Sequence, residues 1–165
     1  MVKSEVTPVT KITKLTALFL AVFFMTSVLT SCKKTPSDTK NFSKIASSMG
    51  YDVLDISNQY TNAESIKVAT VAAPKSRKFQ IEFYELTDME SAIKIYFAQS
   101  DILESLKTSG ASSEVTNGRN YAKRILTVNG QYMLIEYIEN TIIYIPPTDV
   151  ENQKDVEKFL EKFKY

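Results

Sequence analysis

Apolar residues recur along parts of the chain at the three- and four-residue spacings of amphipathic helices. The first such stretch follows Asp38 or Thr39, either of which can cap a helix, and it ends at Gly50. Two further helices are predicted to begin at Thr87 and Thr148, because both positions open a Thr-Asp-x-Glu capping box. The apolar positions of the first helix are Phe42, Ile45, Ala46 and Met49.

Six other stretches are typical of β-strands, because they alternate apolar and polar residues or are rich in β-branched ones. The strongest local signal is Asn129-Gly130, which predicts a type I′ turn between two of these strands. A two-residue turn fixes the register and places Lys123 opposite Glu136 as an ion pair. The predicted strands are residues 51–56, 65–72, 78–85, 121–128, 131–138 and 141–145.

The segments between the predicted helices and strands are polar or contain glycine or proline. Residues 108–118 are small and polar and contain two glycines, so they are predicted to form a mobile loop. Pro146-Pro147 is predicted to end the last strand. The predicted fold is therefore a single α+β domain with the order α-βββ-α-βββ-α, built on an antiparallel sheet of about six strands with three helices.

The last three predicted strands carry apolar side chains on both faces of the sheet. Such a sheet needs cover on both sides, which three helices can provide, so an α/β/α layered arrangement is expected. A two-layer fold with helices on one face is the alternative. One face is predicted to carry Ile125, Leu134, Ile143 and Ile145, and the other face Leu126, Met133, Ile135 and Ile142.

The beginning of the chain has a different pattern. Residues 1–14 contain three lysines and one glutamate, and residues 15–29 form an uncharged and mostly apolar run. This is the pattern of a signal peptide. An uncleaved membrane helix is the alternative, although residues 15–31 are at the short limit of the length needed to span a bilayer.

The apolar run ends in Leu29-Thr30-Ser31-Cys32, which resembles the lipobox of bacterial lipoproteins at all four positions. The resemblance implies cleavage after Ser31 and lipidation of the Cys32 thiol, which would anchor the protein to the extracytoplasmic face of the cell membrane. The chain is then divided into a signal peptide (residues 1–31), the lipidated cysteine with a polar tether (32–40) and the α+β domain (41–165).

The element order resembles the Mog1/PsbP-like fold, an antiparallel sheet between helices found in exported accessory proteins. This resemblance concerns topology only and implies no site. Short sequence phrases also resemble a group of small uncharacterised lipoproteins of low-GC Gram-positive bacteria, and they supply no functional residues. The phrases are Gly50-Tyr51-Asp52-Val53, Ile81-Glu82-Phe83-Tyr84-Glu85-Leu86, Asn120-Tyr121 and Asn140-Thr141-Ile142-Ile143-Tyr144.

Composition excludes several classes of chemistry. The 165 residues include no histidine and one cysteine, so no histidine-activated nucleophile, internal disulfide or Cys-rich zinc site is expected. Lys and Arg total 20 against 19 Asp and Glu, a balance that gives no electrostatic footprint for nucleic acid. Residues 75–78 form a short basic cluster that either contacts anionic lipid headgroups or is simply solvated.

Few residues are arranged for catalysis. Ser91 and Lys94 match the S-x-x-K spacing of penicillin-interacting serine enzymes, but the chain lacks the S-D-N and K-T-G partners of that site. Carboxylates three residues apart on a strand point to opposite faces, so local pairs do not suit glycoside hydrolysis. No catalytic residue, metal site or cofactor is therefore predicted. The local pairs are Asp52 with Asp55, Glu82 with Glu85, and Glu136 with Glu139.

Tyrosines give the best indication of a binding surface, because each combines an apolar ring with a polar tip. Tyr121 and Tyr132 are predicted to share one face of the sheet, and Tyr137 and Tyr144 the other. These observations favour a membrane-anchored binding or accessory module, whose partner is an envelope protein, a peptide or a glycan. An envelope-directed hydrolase and a small-ligand carrier are the alternatives.

Overall fold

A computed structural model describes residues 33–165. The predicted signal peptide and the predicted lipidation of Cys32 lie outside the described residues. Within residues 33–165, no helix combines the length and apolar character that crossing a bilayer requires. The helices of this part are α1 (Thr39–Ser48), α2 (Met89–Ser105) and α3 (Gln153–Phe163). Its strands are β1 (Tyr51–Asp55), β2 (Ile66–Pro74), β3 (Ile81–Leu86), β4 (Ser112–Asn117), β5 (Tyr121–Val128), β6 (Gln131–Ile138) and β7 (Thr141–Asp149).

The strands form one seven-stranded antiparallel sheet in the order β1-β2-β3-β7-β6-β5-β4. Two meanders, β1 to β3 and β4 to β7, are joined where β3 pairs with β7. The prediction of an α+β domain with three helices and a single antiparallel sheet is confirmed. The predicted number and order of strands are wrong, because the second meander has four strands and the order is α-βββ-α-ββββ-α.

The additional strand is β4, which lies inside the segment predicted to be a mobile loop. It forms an edge of the sheet and pairs only with β5. All six of its residues are exposed, so neither of its faces needs apolar side chains. The alternation on which strand prediction depends is therefore missing, and β4 is held by the backbone hydrogen bonds to β5.

Strand β7 continues through Pro146 and Pro147 to Asp149, so the prediction that these prolines end the strand is wrong. The register between β6 and β7 shifts at this point, where two residues of β7 lie opposite one of β6. On the other side, the pairing of β7 with β3 ends at Tyr144. The two prolines thus occupy a bulge on an unpaired edge, where their missing N–H groups are tolerated.

The starts of the last two helices differ from the predicted capping boxes. Helix α2 is capped by Asp88, whose carboxylate accepts a hydrogen bond of 2.8 Å from the N–H of Ser91, and not by Thr87. Thr148 belongs to β7, and its hydroxyl donates to the carbonyl of Pro146. A short 3₁₀ turn, Val150–Asn152, then leads into α3. Asp38 caps α1, as one of the two predicted alternatives.

Helices cover both faces of the sheet. On the first face, α1 and α3 pack through aromatic rings, with Phe42 stacked on Phe83 at 5.2 Å and edge-on to Phe159 at 5.4 Å. On the second face, Tyr96 of α2 lies 5.3 Å from Tyr137 of β6. The two sets of four residues assigned to opposite faces from the sequence belong to these two clusters, so that assignment is confirmed.

The cover of the second face is incomplete. Helix α2 packs mainly on β6 and β7, and only the 3₁₀ turn Ser57–Tyr60 of the β1–β2 connection lies over the β1–β2 side. Residues 33–165 leave the sheet surface between α2 and this turn uncovered, and concavities occur along it.

Candidate functional site

Three tyrosines line a pocket of about 370 Å³ on the second face of the sheet. Tyr84 and Tyr144 are on β3 and β7, and Tyr60 is the last residue of the 3₁₀ turn. Gln99 approaches from α2. This site is called the tyrosine pocket below, and its other lining residues are Glu82, Ile66, Ile95, Ile135 and Ile142.

The register of the sheet explains how these side chains meet. Glu82 and Tyr84 are two residues apart on β3 and therefore share a face. Antiparallel pairing places Tyr144 of β7 directly opposite Glu82, and Ile142 directly opposite Tyr84. Strands β3 and β7 are distant in sequence, so the pocket exists only because the two meanders join.

Glu82 is the charged group of the tyrosine pocket, and it is partly buried. Its carboxylate accepts a hydrogen bond from the Tyr84 hydroxyl and another, of 2.7 Å, from the side-chain amide of Gln80. Among residues 33–165, no lysine or arginine forms an ion pair with Glu82. The negative charge is therefore held by neutral donors alone.

The tyrosine hydroxyls extend this hydrogen bonding. Because the Tyr84 proton is donated to Glu82, the Tyr60 hydroxyl is the donor in its 3.1 Å contact with Tyr84. Burial, followed by the hydrogen bond to Glu82, raises the pKa of Tyr84 well above its ordinary value. Burial and the charge of Glu82 also raise the pKa of Tyr144. Both phenols therefore stay protonated to higher pH than an ordinary tyrosine.

A second concavity, of about 430 Å³, adjoins the tyrosine pocket and shares Tyr60 and Glu82 with it. Its rim includes Asp52, which forms a 3.1 Å ion pair with Arg77. Leu54 of β1 also lines it and is exposed. The two concavities lie side by side on the second face and are together called the groove below.

The four tyrosines predicted as a binding surface do not meet in one place. Tyr121 and Tyr132 are buried in the cluster of the first face, and Tyr137 is buried in that of the second. Tyr144 is partly exposed and is the one predicted tyrosine that lines the pocket. Three of the four are therefore core residues.

The S-x-x-K residues are not placed as a nucleophile and its base. Lys94 forms a 2.7 Å ion pair with Glu90 one turn earlier on α2, and both side chains are exposed. The Ser91 hydroxyl lies 3.4 Å from that of Thr87.

Carboxylates that no local pair predicts line the same concavity in more than one place: Asp52 with Glu82, Asp88 with Glu139, and Asp38 with Glu85. Within residues 33–165, no group of three or more acidic or cysteine side chains is arranged to hold a metal ion.

A buried carboxylate attaches the segment before α1 to the domain. Glu136 of β6 is fully buried and accepts a hydrogen bond from the Lys34 ammonium, while Lys123 lies 3.7 Å away in the predicted cross-strand pair. The Lys34 N–H donates to the Asn120 side chain, which donates back to the Lys34 carbonyl. The Lys34 ammonium also lies 4.8 Å from the ring centroid of Tyr121.

A wider concavity, of about 580 Å³, lies beside this attachment and is lined by Lys33, Arg119 and Glu139, among others. Its charges offset one another, since Lys33 lies 3.3 Å from Glu139. It is open to solvent and lacks the aromatic walls of the tyrosine pocket. For these reasons the tyrosine pocket is the stronger candidate for a binding site.

Sequence reasoning missed Tyr60, Glu82 and Tyr84 as site residues. The alternation of β3 indicates that Glu82 and Tyr84 face away from Phe83, and this is observed. The local sequence does not predict the pairing of β3 with β7, which brings Tyr144 next to Glu82 and Tyr84.

Comparison with known proteins identifies no relative: no family model matches the chain, and no curated protein or solved structure is significantly similar to it. The fold and the site thus define an α+β protein with an antiparallel sheet and an aromatic pocket on its partly covered face. The resemblances noted from the sequence remain predictions.

Proposed function

We propose that this protein is a lipid-anchored, extracytoplasmic binding module and that its ligand site is the groove containing the tyrosine pocket. The observation that carries the proposal is the pocket itself, a concavity of about 370 Å³ with three tyrosines and a carboxylate beside apolar walls. Concave sites with apolar walls and a few polar groups are typical of ligand binding.

The attachment of Lys34 bears on how an anchored domain would be oriented. Two residues of extended chain span about 7 Å, so a lipid on Cys32 would lie within that reach of the fixed Lys34 backbone. The anchored domain would then rest with the Asn120 end of its sheet near the membrane. In this orientation the predicted tether (32–40) would not separate the domain from the membrane.

The anchor is tested by metabolic labelling of the full chain with an alkyne-bearing fatty acid in a bacterium. We expect wild-type protein to incorporate the label and to begin at Cys32, and the Cys32→Ser variant to do neither. Label on the variant, or an uncleaved and unlabelled wild type, would contradict the anchor.

The groove is tested by a photo-crosslinking amino acid placed at Gln99 in the anchored protein in intact cells. Glu114, exposed on β4 and remote from the pocket, is the matched control position. We expect an adduct from position 99 that position 114 does not give. The same adducts from both positions, or none from 99, would count against the groove as the binding site.

The hydrolase alternative is supported by concavities that two carboxylates line, such as that of Asp52 and Glu82. An activity on envelope substrates that disappears in Asp52→Asn, Glu82→Gln or Ser91→Ala would favour it over a binding module. The carrier alternative differs from the proposal only in what is bound. Native mass spectrometry of the purified protein tests it, because a carrier would retain a small molecule.

A further inference from the structure

The tyrosine pocket contains a charge that residues 33–165 leave without an ion pair. Glu82 is partly buried, and no lysine or arginine of residues 33–165 pairs with it. A carboxylate that is partly removed from water is stabilised by an opposite charge. Lys34 and Lys123 supply such a charge to the buried Glu136, whereas Glu85, which is also partly buried, has no ion pair within residues 33–165. At Glu82 the position of the cation is open to a ligand.

The aromatic walls favour the same sign of charge. The rings of Tyr60 and Tyr84 stand almost perpendicular, at 88°, with their centroids 5.7 Å apart. Tyr144 lies across the strand pair from Glu82. The faces of aromatic rings carry negative potential and attract cations, above all organic ammonium groups. Three rings and one carboxylate in a single pocket disfavour anions.

Two hydrogen-bond donors of the pocket are already used. The Tyr84 hydroxyl donates to Glu82, and the Tyr60 hydroxyl donates to Tyr84. For a ligand, acceptor capacity remains on the carboxylate and the phenol oxygens, and the Tyr144 hydroxyl and the Gln99 amide remain as donors. The isoleucine side chains on the other walls suit an aliphatic body.

We propose that the tyrosine pocket binds a small alkylammonium compound, with its cationic head among Tyr60, Tyr84 and Tyr144 beside Glu82 and its aliphatic part on the isoleucines. This inference rests on the proposed function and adds the chemical class of the ligand. Primary and quaternary ammonium ligands share this chemistry, and the probes below separate them.

The test is a titration of the full chain in nonionic detergent with four probes of equal chain length: butyltrimethylammonium, butylammonium, 1-butanol and butyrate. Selective labelling of tyrosine rings reports binding at Tyr60, Tyr84 and Tyr144 by nuclear magnetic resonance. We expect at least one ammonium probe to bind about five- to tenfold more tightly than 1-butanol, and butyrate to bind most weakly. The tighter of the two ammonium probes identifies the type of head.

The Glu82→Gln variant removes the charge and keeps an acceptor for Tyr84, and Glu114→Gln on β4 is the matched control. We expect Glu82→Gln to abolish most of the preference for ammonium over butanol, and Glu114→Gln to leave it unchanged. Should Glu82→Gln fail to fold, Tyr60→Leu at the exposed turn replaces it, with the same expected loss.

The outcomes separate the two proposals. Equal binding of 1-butanol, butyrate and the ammonium probes, or an unchanged preference in Glu82→Gln, would overturn the cation site and leave the groove as a binding site. No change of the three tyrosine rings with any probe would overturn the cation site and also weaken the groove assignment. Ammonium binding that depends on Glu82 supports both.

Discussion

One buried carboxylate, Glu136, connects the beginning of the described chain to the sheet. It is fully buried between two lysines, and one of them, Lys34, reaches it from outside the sheet. A buried charge is tolerated only when it is paired and hydrogen-bonded. The contact therefore fixes Lys34 more firmly than an ordinary surface ion pair would.

We expect Lys34→Ala to lower the free energy of unfolding by about 2 kcal/mol, because it leaves Glu136 with one fewer partner. Lys33→Ala is the matched control, since Lys33 is 66% exposed against 33% for Lys34. Lys33→Ala should lower the free energy of unfolding by less than about 0.5 kcal/mol. Urea denaturation of the two variants measures the difference.

Adding Glu136→Gln to Lys34→Ala removes the unpaired charge and should recover part of the lost stability. Equal losses for the Lys33 and Lys34 variants would show that the buried contact does not stabilise the domain.

Asp88 gives a pH-dependent prediction. Hydrogen bonds from Ser91 hold the pKa of the Asp88 carboxyl below its usual value. The stabilisation is therefore present above the pKa of the unfolded state and is lost as the pH falls through the lowered pKa of the folded state. We expect Asp88→Ala to lower the melting temperature by about 3–5 °C at neutral pH. In thermal unfolding, the difference in melting temperature between wild type and Asp88→Ala should become smaller below about pH 4.

Asp101→Ala is the control, because it makes the same substitution at an exposed position within α2. It should not lower the melting temperature, since alanine is the better helix former. If the difference in melting temperature between wild type and Asp88→Ala stayed constant down to acid pH, the ionised Asp88 carboxylate would not be the group that stabilises the start of α2.

At the scale of elements, α3 is held by one aromatic cluster. Phe159 is fully buried and contacts Phe42, Tyr51 and Phe163. We expect Phe159→Ala to destabilise the domain by about 3–5 kcal/mol through lost burial and a cavity. Phe97→Ala on α2 makes the same chemical change at a side chain that is 58% exposed, and should cost under about 1 kcal/mol.

Chemical denaturation of the two phenylalanine variants provides the comparison. If Phe159→Ala does not fold, Phe159→Leu, with a smaller expected loss, replaces it. Similar losses at positions 159 and 97 would argue against this packing of α3.

The individual strands differ in how well the sequence predicts them. The hairpin of β5 and β6 has the predicted bounds and register, because a two-residue Asn-Gly turn is a local signal. Strand β4 escaped prediction because an exposed edge needs no apolar pattern. The tyrosine pocket escaped because the pairing of β3 with β7 joins residues 82 and 144 across two meanders. Local patterns thus predicted the faces and the β5–β6 hairpin, but not which strands from distant parts of the chain lie side by side.

At the scale of the whole molecule, the sheet has two different ends. The start of β5, the β6–β7 turn and the Lys34 attachment lie at one end. The β2–β3 connection contains the basic residues 75–78 and lies at the other end of the sheet. It follows Pro74, which pairs with Tyr51 of β1 at that end. Strands of eight residues separate the ends by about 25 Å. The proposed anchor at Cys32 would therefore place the basic cluster away from the lipid headgroups.

This orientation gives a prediction for the anchored protein in vesicles that contain nitroxide-labelled lipids. A fluorophore on Arg119→Cys, in the turn beside the Lys34 attachment, should be quenched strongly, and one on Lys75→Cys only weakly. Both are exposed basic residues in turns, and a lipidated Cys32 leaves no other thiol to label. Stronger quenching at position 75 would mean that the basic cluster faces the membrane. Equal quenching at the two positions would mean that the Lys34 attachment does not orient the domain.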